Sequence, residues 1–393
     1  MKFFLEKPET PVDLLVIAGE HSGDEQASRI VAKMLKKNDA SHIYAIGGVK
    51  LKEAGAKLLF DLTKFSVVGL LEVAKHILVF KKLLHLTVAW IKEYRPKVLC
   101  LVDYPGFNLR LAKELYRKKL SNKAGGSTFI YYYISPQIWA WKARRRFIIA
   151  KLIDSLGVIF PFEANCYNDT DLDVNFVGHP FLEDEYNLGI EFSPSAPMLL
   201  LPGSRATAIK RIFPVMLQLF RSATAQNKKA IVLYPNETLR QILYECTVNH
   251  RLESRIDFIP VGTNVLASSA LMSSGTMSLK CALAGLPSLI IYKANPITFL
   301  LGRRLVKVKY LGMANILLNE EAIPEFIQTN FQKAIPYISQ FHSPKMIECA
   351  KNNSVRIKNI LSAKSGHPDS SPENLIMKKI FSNTGSNNRE RST

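Results

Sequence analysis

Short runs of β-favouring apolar residues recur along this chain with helical patterns between them, and then the whole rhythm starts again. DLLVIAG (13–19), IYAIGG (43–48), KVLCLVD (97–103), STFIYYYI (127–134) and SLGVIF (155–160) make the first series; PMLLLPG (197–203), KAIVLYP (229–235), RIDFIP (255–260), SALMSSG (269–275) and PSLIIY (287–292) make the second. Runs that are apolar at nearly every position predict strands covered on both faces, and strands separated by helices pair in parallel. The expectation is an α/β chain of two Rossmann-like halves, each with one parallel sheet. At 393 residues the chain also exceeds what one hydrophobic core usually organises.

We expect domains over residues 1–185 and 186–345, connected through the Gly-, Pro- and acid-rich VGHPFLEDEYNLGIEFSPSAP (177–197). Residues 346–393 are expected as a helical C-terminal segment that packs back or swaps, with a helical turn or two around Leu375 to Phe381 and a disordered end. In open parallel sheets ligands sit beyond the carboxyl ends of the strands, so two facing halves place substrates in a central cleft. Chemistry is therefore sought at the strand-to-helix corners.

Four such segments stand out. VIAGEHSGDE (16–25) crowds Glu20, His21, Ser22 and Asp24 into a turn without the GxGxxG spacing of a dinucleotide cradle. In VDYPGFNLR (102–110), Asp103 ends a strand ahead of a Pro-Gly bend; it is either a general base at a cleft mouth or a turn-forming cap. LLLPGSRATAIKR (199–211) offers Gly203, Ser204 and Arg205 before a helix, and MSSGTMSLKCALAGLP (272–287) repeats the arrangement with Ser274, Gly275 and Thr276. Helix N-termini and a planar guanidinium both suit phosphate oxygens, so the pair fits a diphosphate, although each turn alone is also ordinary αβ punctuation. Neither corner has the GxxxxGK[ST] spacing of an ATP-hydrolysing loop.

Charge narrows the partners to anionic ones. Lys and Arg number 52 against 33 Asp and Glu, a formal charge of +19, which favours nucleic acid, acidic lipid surfaces or phosphorylated substrates. YYISPQIWAWKARRR (132–146) interleaves Trp139 and Trp141 with cations, which is compatible with a single-strand platform, a phosphate clamp, a membrane-edge anchor, or tryptophans in a core under a solvated basic face. FSVVGLLEVAKHILVFKKLLHLTVAW (65–90) is apolar but interrupted by charge, which fits a core helix or one dipping into a membrane surface, not a bilayer span. Five cysteines without a CxxC pair indicate neither a disulfide framework nor a zinc site and fit a reducing compartment. The apolar start of MKFFLEKPETPVDLL is too brief for a signal peptide.

Taken together, AGEHSGD, VDYPGFN, ISPQIWAWKARR, FVGHP, LPGSR, SSGTMSLK and RRLVKVKYLGMANIL (303–317) stand in the order and spacing of the lipid A disaccharide synthases of Gram-negative bacteria, which this chain resembles over roughly residues 12–345. The resemblance implies the GT-B fold, with an acceptor- and membrane-facing first domain and a UDP-sugar-binding second one. It implies transfer from UDP-2,3-diacylglucosamine to the 6-hydroxyl of 2,3-diacylglucosamine 1-phosphate, inverting, with no metal and no cofactor, giving the β-1,6-linked disaccharide 1-phosphate and UDP. It further implies a homodimer on the cytoplasmic face of the inner membrane and no nucleic-acid partner. By motif matching, Asp103 is the candidate base, with Glu20 and Ser22 in the polar loop on its side. Gly203, Ser204, Arg205, Ser274, Gly275, Thr276 and Asn315 match positions associated with the uridine nucleotide. Two departures stand out: Lys280 and Ala208 occupy places where the family usually has Glu, and the first leaves the ribose contact unassigned. The alternatives are a related enzyme using another UDP-sugar and a basic nucleic-acid-binding protein.

Overall fold

The computed structural model describes residues 4–65, 73–183, 186–295, 299, 308–362 and 371–382. Two compact units emerge, one from the chain up to Pro180 together with its far C-terminal part, the other from Phe181–Ser362. The first holds β1 (Leu14–Ala18), β2 (Ile43–Gly47), β3 (Lys57–Asp61), β4 (Val98–Val102), β5 (Phe129–Tyr133), β6 (Ser155–Val158) and β7 (Asp173–Phe176), in the order β3-β2-β1-β4-β5-β6-β7. Every neighbouring pair is parallel. All five strands expected here form; the two additional ones, β3 and β7, lie at the sheet's edges.

Alternation along the strands builds two cores, one per face. Leu15 and Ile17 of β1 with Leu99 and Leu101 of β4 meet Leu83, Trp90 and Ile91 of the helix Val73–Tyr94 and Leu111 of the helix Pro105–Arg117. On the other face Leu14 and Val16, with Val98 and Cys100, meet Ile30, Val31 and Met34 of the helix His21–Lys37. Ile376 and Ile380 of the helix Pro372–Ser382 complete that second core, so the helical turns expected near Leu375 form and belong to the first unit. Burying one such aliphatic side chain is worth about 1.5–3 kcal/mol, which is what holds this distant segment against the sheet.

The apolar stretch 65–90 resolves into two behaviours. Its later part is core, with Leu83, Val88 and Trp90 buried, while Leu78 is 74% exposed. Residues 66–72 lie outside the described residues, as do 303–307 of the last motif and the tail beyond Ser382.

The second unit begins with β8 (Ile190–Phe192), followed by β9 (Met198–Leu201), β10 (Ala230–Tyr234), β11 (Ile256–Pro260), β12 (Val265–Ala267), β13 (Ser269–Met272), β14 (Ser288–Tyr292) and β15 (Glu325–Ile327). Six of them make a parallel sheet in the order β11-β10-β9-β13-β14-β15; β8 and β12 pair separately, so the stretch read as connection carries a strand. The helix Ala206–Ala223 packs Ile209, Phe213, Met216 and Phe220 into this unit's core. The helix Pro344–Leu361 is fixed there too, with the Ser354 hydroxyl donating to the Leu283 carbonyl at 2.6 Å.

Candidate active site

In both sheets strand order reverses about the strand that comes first in the sheet. That reversal lies between β1 and β4 in the first unit and between β9 and β13 in the second. At such a switch point the crossover helices leave on opposite faces and the strand ends open a crevice. The four segments singled out by sequence are the four corners beyond these strands.

In the first unit Asp103 follows β4 directly, and its backbone is held in an unusual shape. Asp103 and Tyr104 have φ of 45° and 47°, consecutive left-handed residues without glycine's freedom. Such conformations cost of order 1–3 kcal/mol each and persist only where surroundings fix them. Here the Asp103 N–H donates to the Tyr133 carbonyl (3.0 Å), while its carbonyl accepts from the Tyr132 hydroxyl (2.5 Å) and the Asn108 side-chain amide (2.8 Å). Tyr104 swings over the end of β1, where a Cβ on Gly19 would collide with its ring. The helix Pro105–Arg117 starts at Tyr104 without a side-chain cap. Asp103 therefore does not occupy the N-cap position of that helix.

Burial pushes the Asp103 carboxyl up to about 6, the negative charge of Glu20 adds to the rise, and the Tyr104 N–H partly offsets both. Glu20 stands exposed at the end of the neighbouring strand, at the N-cap position of the helix His21–Lys37, with Ser22 exposed just inside that helix. Asp24 of the same motif serves differently. It is buried and accepts from the amides of Gly48 (2.7 Å), Lys50 (3.0 Å) and Leu51 (3.4 Å), capping the helix Val49–Glu53.

In the second unit Gly203 turns the chain at φ 107°, where a Cβ would stand 3.2 Å from the Ser273 hydroxyl, so the two corners touch. Ser204 and Arg205 are exposed; Arg205 occupies the N-cap position of the helix Ala206–Ala223 without capping it. Gly275 does likewise for the helix Thr276–Leu283, with Thr276 exposed beside it. Uncapped N-terminal amides and an exposed guanidinium on one rim are groups of the kind that suit an anion.

Ser274 and Asn315 are committed elsewhere. The Ser274 hydroxyl donates to the Leu311 carbonyl (2.9 Å). Asn315 is fully buried, its amide donating to the Ile323 carbonyl (2.7 Å) and Glu325 (2.8 Å) while its oxygen accepts the Ile323 N–H (2.8 Å). Glu325 also accepts the amides of Leu311 and Gly312, both at 2.8 Å. These residues lock the 311–315 segment to the second corner. Lys280 lies 5.2 Å and 5.0 Å from the ring centroids of Phe181 and Tyr186, a cation over two aromatic faces.

Sequence reasoning passed over Glu325 and Glu163. Glu163, buried in the helix Pro161–Asn165, accepts the indole N–H of Trp139 and the Phe160 amide, each at 3.1 Å. The signal available for both was an acid flanked by apolar residues, in PFEAN and PEFI. Among the described residues no group of His, Cys, Asp and Glu is arranged to hold a metal ion.

A family model described as lipid-A-disaccharide synthetase matches residues 14–379. The lipid-A-disaccharide synthase 1 of Legionella pneumophila subsp. pneumophila (strain Philadelphia 1) is 35% identical over 384 residues, covering 93% of this chain and 97% of that protein. The lipid-A-disaccharide synthase of Nitrosococcus oceani is 36% identical over 327 residues, covering 80% and 82%. Among solved structures, a putative UDP-N-acetylglucosamine 2-epimerase from Listeria monocytogenes superposes with a TM-score of 0.57 at 12% identity, over 96% of this chain and 97% of that one. The glycotransferase of kitacinnamycin gives 0.57 at 11%, over 94% and 100%. Likeness at such identity speaks for the fold alone, which is GT-B: two Rossmann-like parallel-sheet units.

Proposed function

The chain belongs to the lipid-A-disaccharide synthetase family, and on that premise we propose which of its residues carry the family's reaction. It is a glycosyltransferase of lipid A biosynthesis, joining UDP-2,3-diacylglucosamine to 2,3-diacylglucosamine 1-phosphate and releasing the β-1,6-linked disaccharide 1-phosphate and UDP. One observation carries the residue assignment: a half-buried carboxyl at the first switch point, raised to about 6.

Asp103 is the general base. A carboxyl near 6 is ionised at neutral pH yet basic enough to accept the acceptor's 6-hydroxyl proton as its oxygen attacks the anomeric carbon. The bond from that carbon to the diphosphate breaks in the same displacement, inverting the centre. Negative charge then grows on the departing UDP. Arg205 and the free amides at Ser204, Gly275 and Thr276 are oriented beforehand to meet it, the role a metal plays elsewhere. Glu20 keeps Asp103 basic through its charge, and Ser22 contributes a hydroxyl on the same rim. Gly203 lets the rim form, while Ser274 and Asn315 act through the 311–315 segment they hold.

The same reading places the chain on the inner face of the inner membrane. No described helix is long and apolar enough to cross a membrane. Support for surface binding comes from Trp141, 47% exposed with the Lys142 ammonium 4.2 Å from its ring centroid, and from Phe147 and Ile148, 49% and 55% exposed among the arginines. Apolar tips ringed by cations suit an anionic interface. The homodimer follows from family resemblance and is tested by light scattering.

The deciding experiment incubates the full chain with both diacylated substrates on anionic vesicles. The expected result is the disaccharide 1-phosphate by mass spectrometry, with protein recovered on the vesicles. Absence of that product removes the reaction; product without vesicle recovery removes only the membrane placement.

A further inference from the structure

The backbone of Asp103 is pinned on both sides of its Cα, and the side chains that pin its carbonyl have no part in the proposed reaction. Its N–H donates to the Tyr133 carbonyl at 3.0 Å. Its carbonyl accepts the Tyr132 hydroxyl at 2.5 Å and the Asn108 side-chain amide at 2.8 Å, and that same amide reaches the Val102 carbonyl at 3.2 Å. With both peptide groups held, φ stays at 45°, a region that residues with side chains seldom enter, and the Cα–Cβ bond is left one direction. The carboxyl group follows that bond.

Both donors come from the interior. Tyr132 and Asn108 are each 0% exposed. Tyr132 stands on β5 opposite Leu101 of β4, so its hydroxyl arrives from the neighbouring strand, whereas Asn108 arrives from the first turn of the helix Pro105–Arg117. The other buried residues of that helix are Phe107, Leu111, Ala112 and Leu115, an apolar face on which an amide is costly unless its polar atoms are used. The Asn108 nitrogen is used twice, on the carbonyls of Val102 and Asp103 in succession, while its oxygen finds no donor among the described residues. An apolar side chain of the same size would fill that place without leaving an oxygen unpaired. What it could not do is hold the Asp103 carbonyl.

We propose that Tyr132 and Asn108 are positioning residues for the proposed base: converging on one carbonyl from two elements, they hold Asp103 in its left-handed conformation and so fix the direction in which its carboxyl group is presented. The inference rests on the assignment of Asp103 as base. Neither residue touches substrate under this reading, so substrate affinity does not depend on them. What goes with either donor is the alignment of the carboxyl group with the acceptor's hydroxyl, and a misplacement of about 1 Å costs up to about 10²-fold in rate.

The test is a double-mutant cycle on the full chain with both diacylated substrates. Tyr132→Phe keeps the ring in the core and deletes only the hydroxyl; Asn108→Leu keeps the volume and deletes the amide. Each is expected to lower kcat by about 10- to 100-fold, with KM for both substrates and UDP affinity by calorimetry within about twofold of wild type. Made in the Asp103→Asn background, the same substitutions are expected to cost less than about twofold, because the group they position is gone. Should only one variant accumulate as folded protein, it carries the test alone; should neither, both residues serve the fold and the inference falls. An unchanged kcat, a loss carried by KM, or a full loss that persists beside Asp103→Asn also overturns it, while an inactive Asp103→Asn leaves the base assignment standing. Near-normal turnover by Asp103→Asn overturns that assignment instead, and this inference with it.

Discussion

The two switch points share a topology and differ in almost everything mounted on it. Beyond β1 and β4 stand carboxyl groups: Glu20 exposed, Asp103 raised to about 6 and, two strands along, the buried Glu163. Beyond β9 and β13 stand uncapped amides, glycines and Arg205. The first rim sets negative charge in a place that disfavours it, and the proposed reaction uses it as the proton acceptor. The second offers positive potential that costs no reorganisation when an anion arrives. One scaffold supplies the crevice twice, and under the proposed assignment side-chain chemistry decides which crevice reacts and which one grips.

If that contrast is right, the largest effects separate cleanly. Asp103→Asn is expected to lower kcat/KM by about 10²–10⁴-fold with UDP binding by calorimetry unchanged, because general-base catalysis is lost and the second rim is untouched. Arg205→Ala is expected to weaken UDP binding and lower kcat/KM by about 10²–10³-fold. Loss of UDP affinity in Asp103→Asn would erase the distinction. The Asp103 substitution carries a further signature in stability. A carboxyl raised from 3.8 to about 6 holds its proton more tightly in the folded chain than in the unfolded one. Its stabilising contribution is full below about pH 4 and is lost as pH rises through about 6. The strain is at most about 3 kcal/mol at neutral pH, so Asp103→Asn should melt higher than wild type at pH 7 and lower activity together.

Within the first rim a sharper comparison is available, since Glu20 and Asp24 belong to one short motif. Asp24→Ala leaves the buried amide of Gly48 and its neighbours without an acceptor, so chemical denaturation should reveal a loss of about 2–4 kcal/mol. Glu20→Gln is expected to leave stability within about 0.5 kcal/mol, as exposed substitutions usually do. The smallest effect is on the pH profile. Glu20→Gln removes a negative charge from Asp103's field, so the acidic limb of kcat/KM moves to lower pH, and high salt, which screens an exposed charge, should shrink the difference. A limb that moves upward would contradict the arrangement.

Much of the scaffold was legible because fully buried strands write themselves as apolar runs. All ten such runs became strands of the two sheets. The sheet strands left unread were β3, β7 and β15, whose residues are partly exposed and carry Lys57, Asp61, Asp173 and Glu325. Edge strands satisfy only one neighbour and bury less, so their pattern dissolves into that of loops. The corners were legible for the same reason the strands were: Gly, Pro and a polar residue after an apolar run leave few other conformations. What the sequence does not encode is commitment. Asp24 and Glu20 look equivalent until one is found under three amides, and Asn315 resembles a ligand-binding amide until its donors and acceptor are found spent on Ile323 and Glu325. Glu163 hides because the cost of burying an acid shows only once the fold has surrounded it.

The helix Pro372–Ser382, whose Ile376 and Ile380 share a core with Met34, Val98 and Cys100, gives the first unit a closing element written after the whole of the second. During translation the strands of its sheet and the helix His21–Lys37 are made early, but Ile376 and Ile380, which complete their shared core, are made only after the second unit. Until then that core lacks two of its aliphatic side chains. A stop codon placed just ahead of this helix would spare every residue of the second sheet and injure the half that carries Asp103.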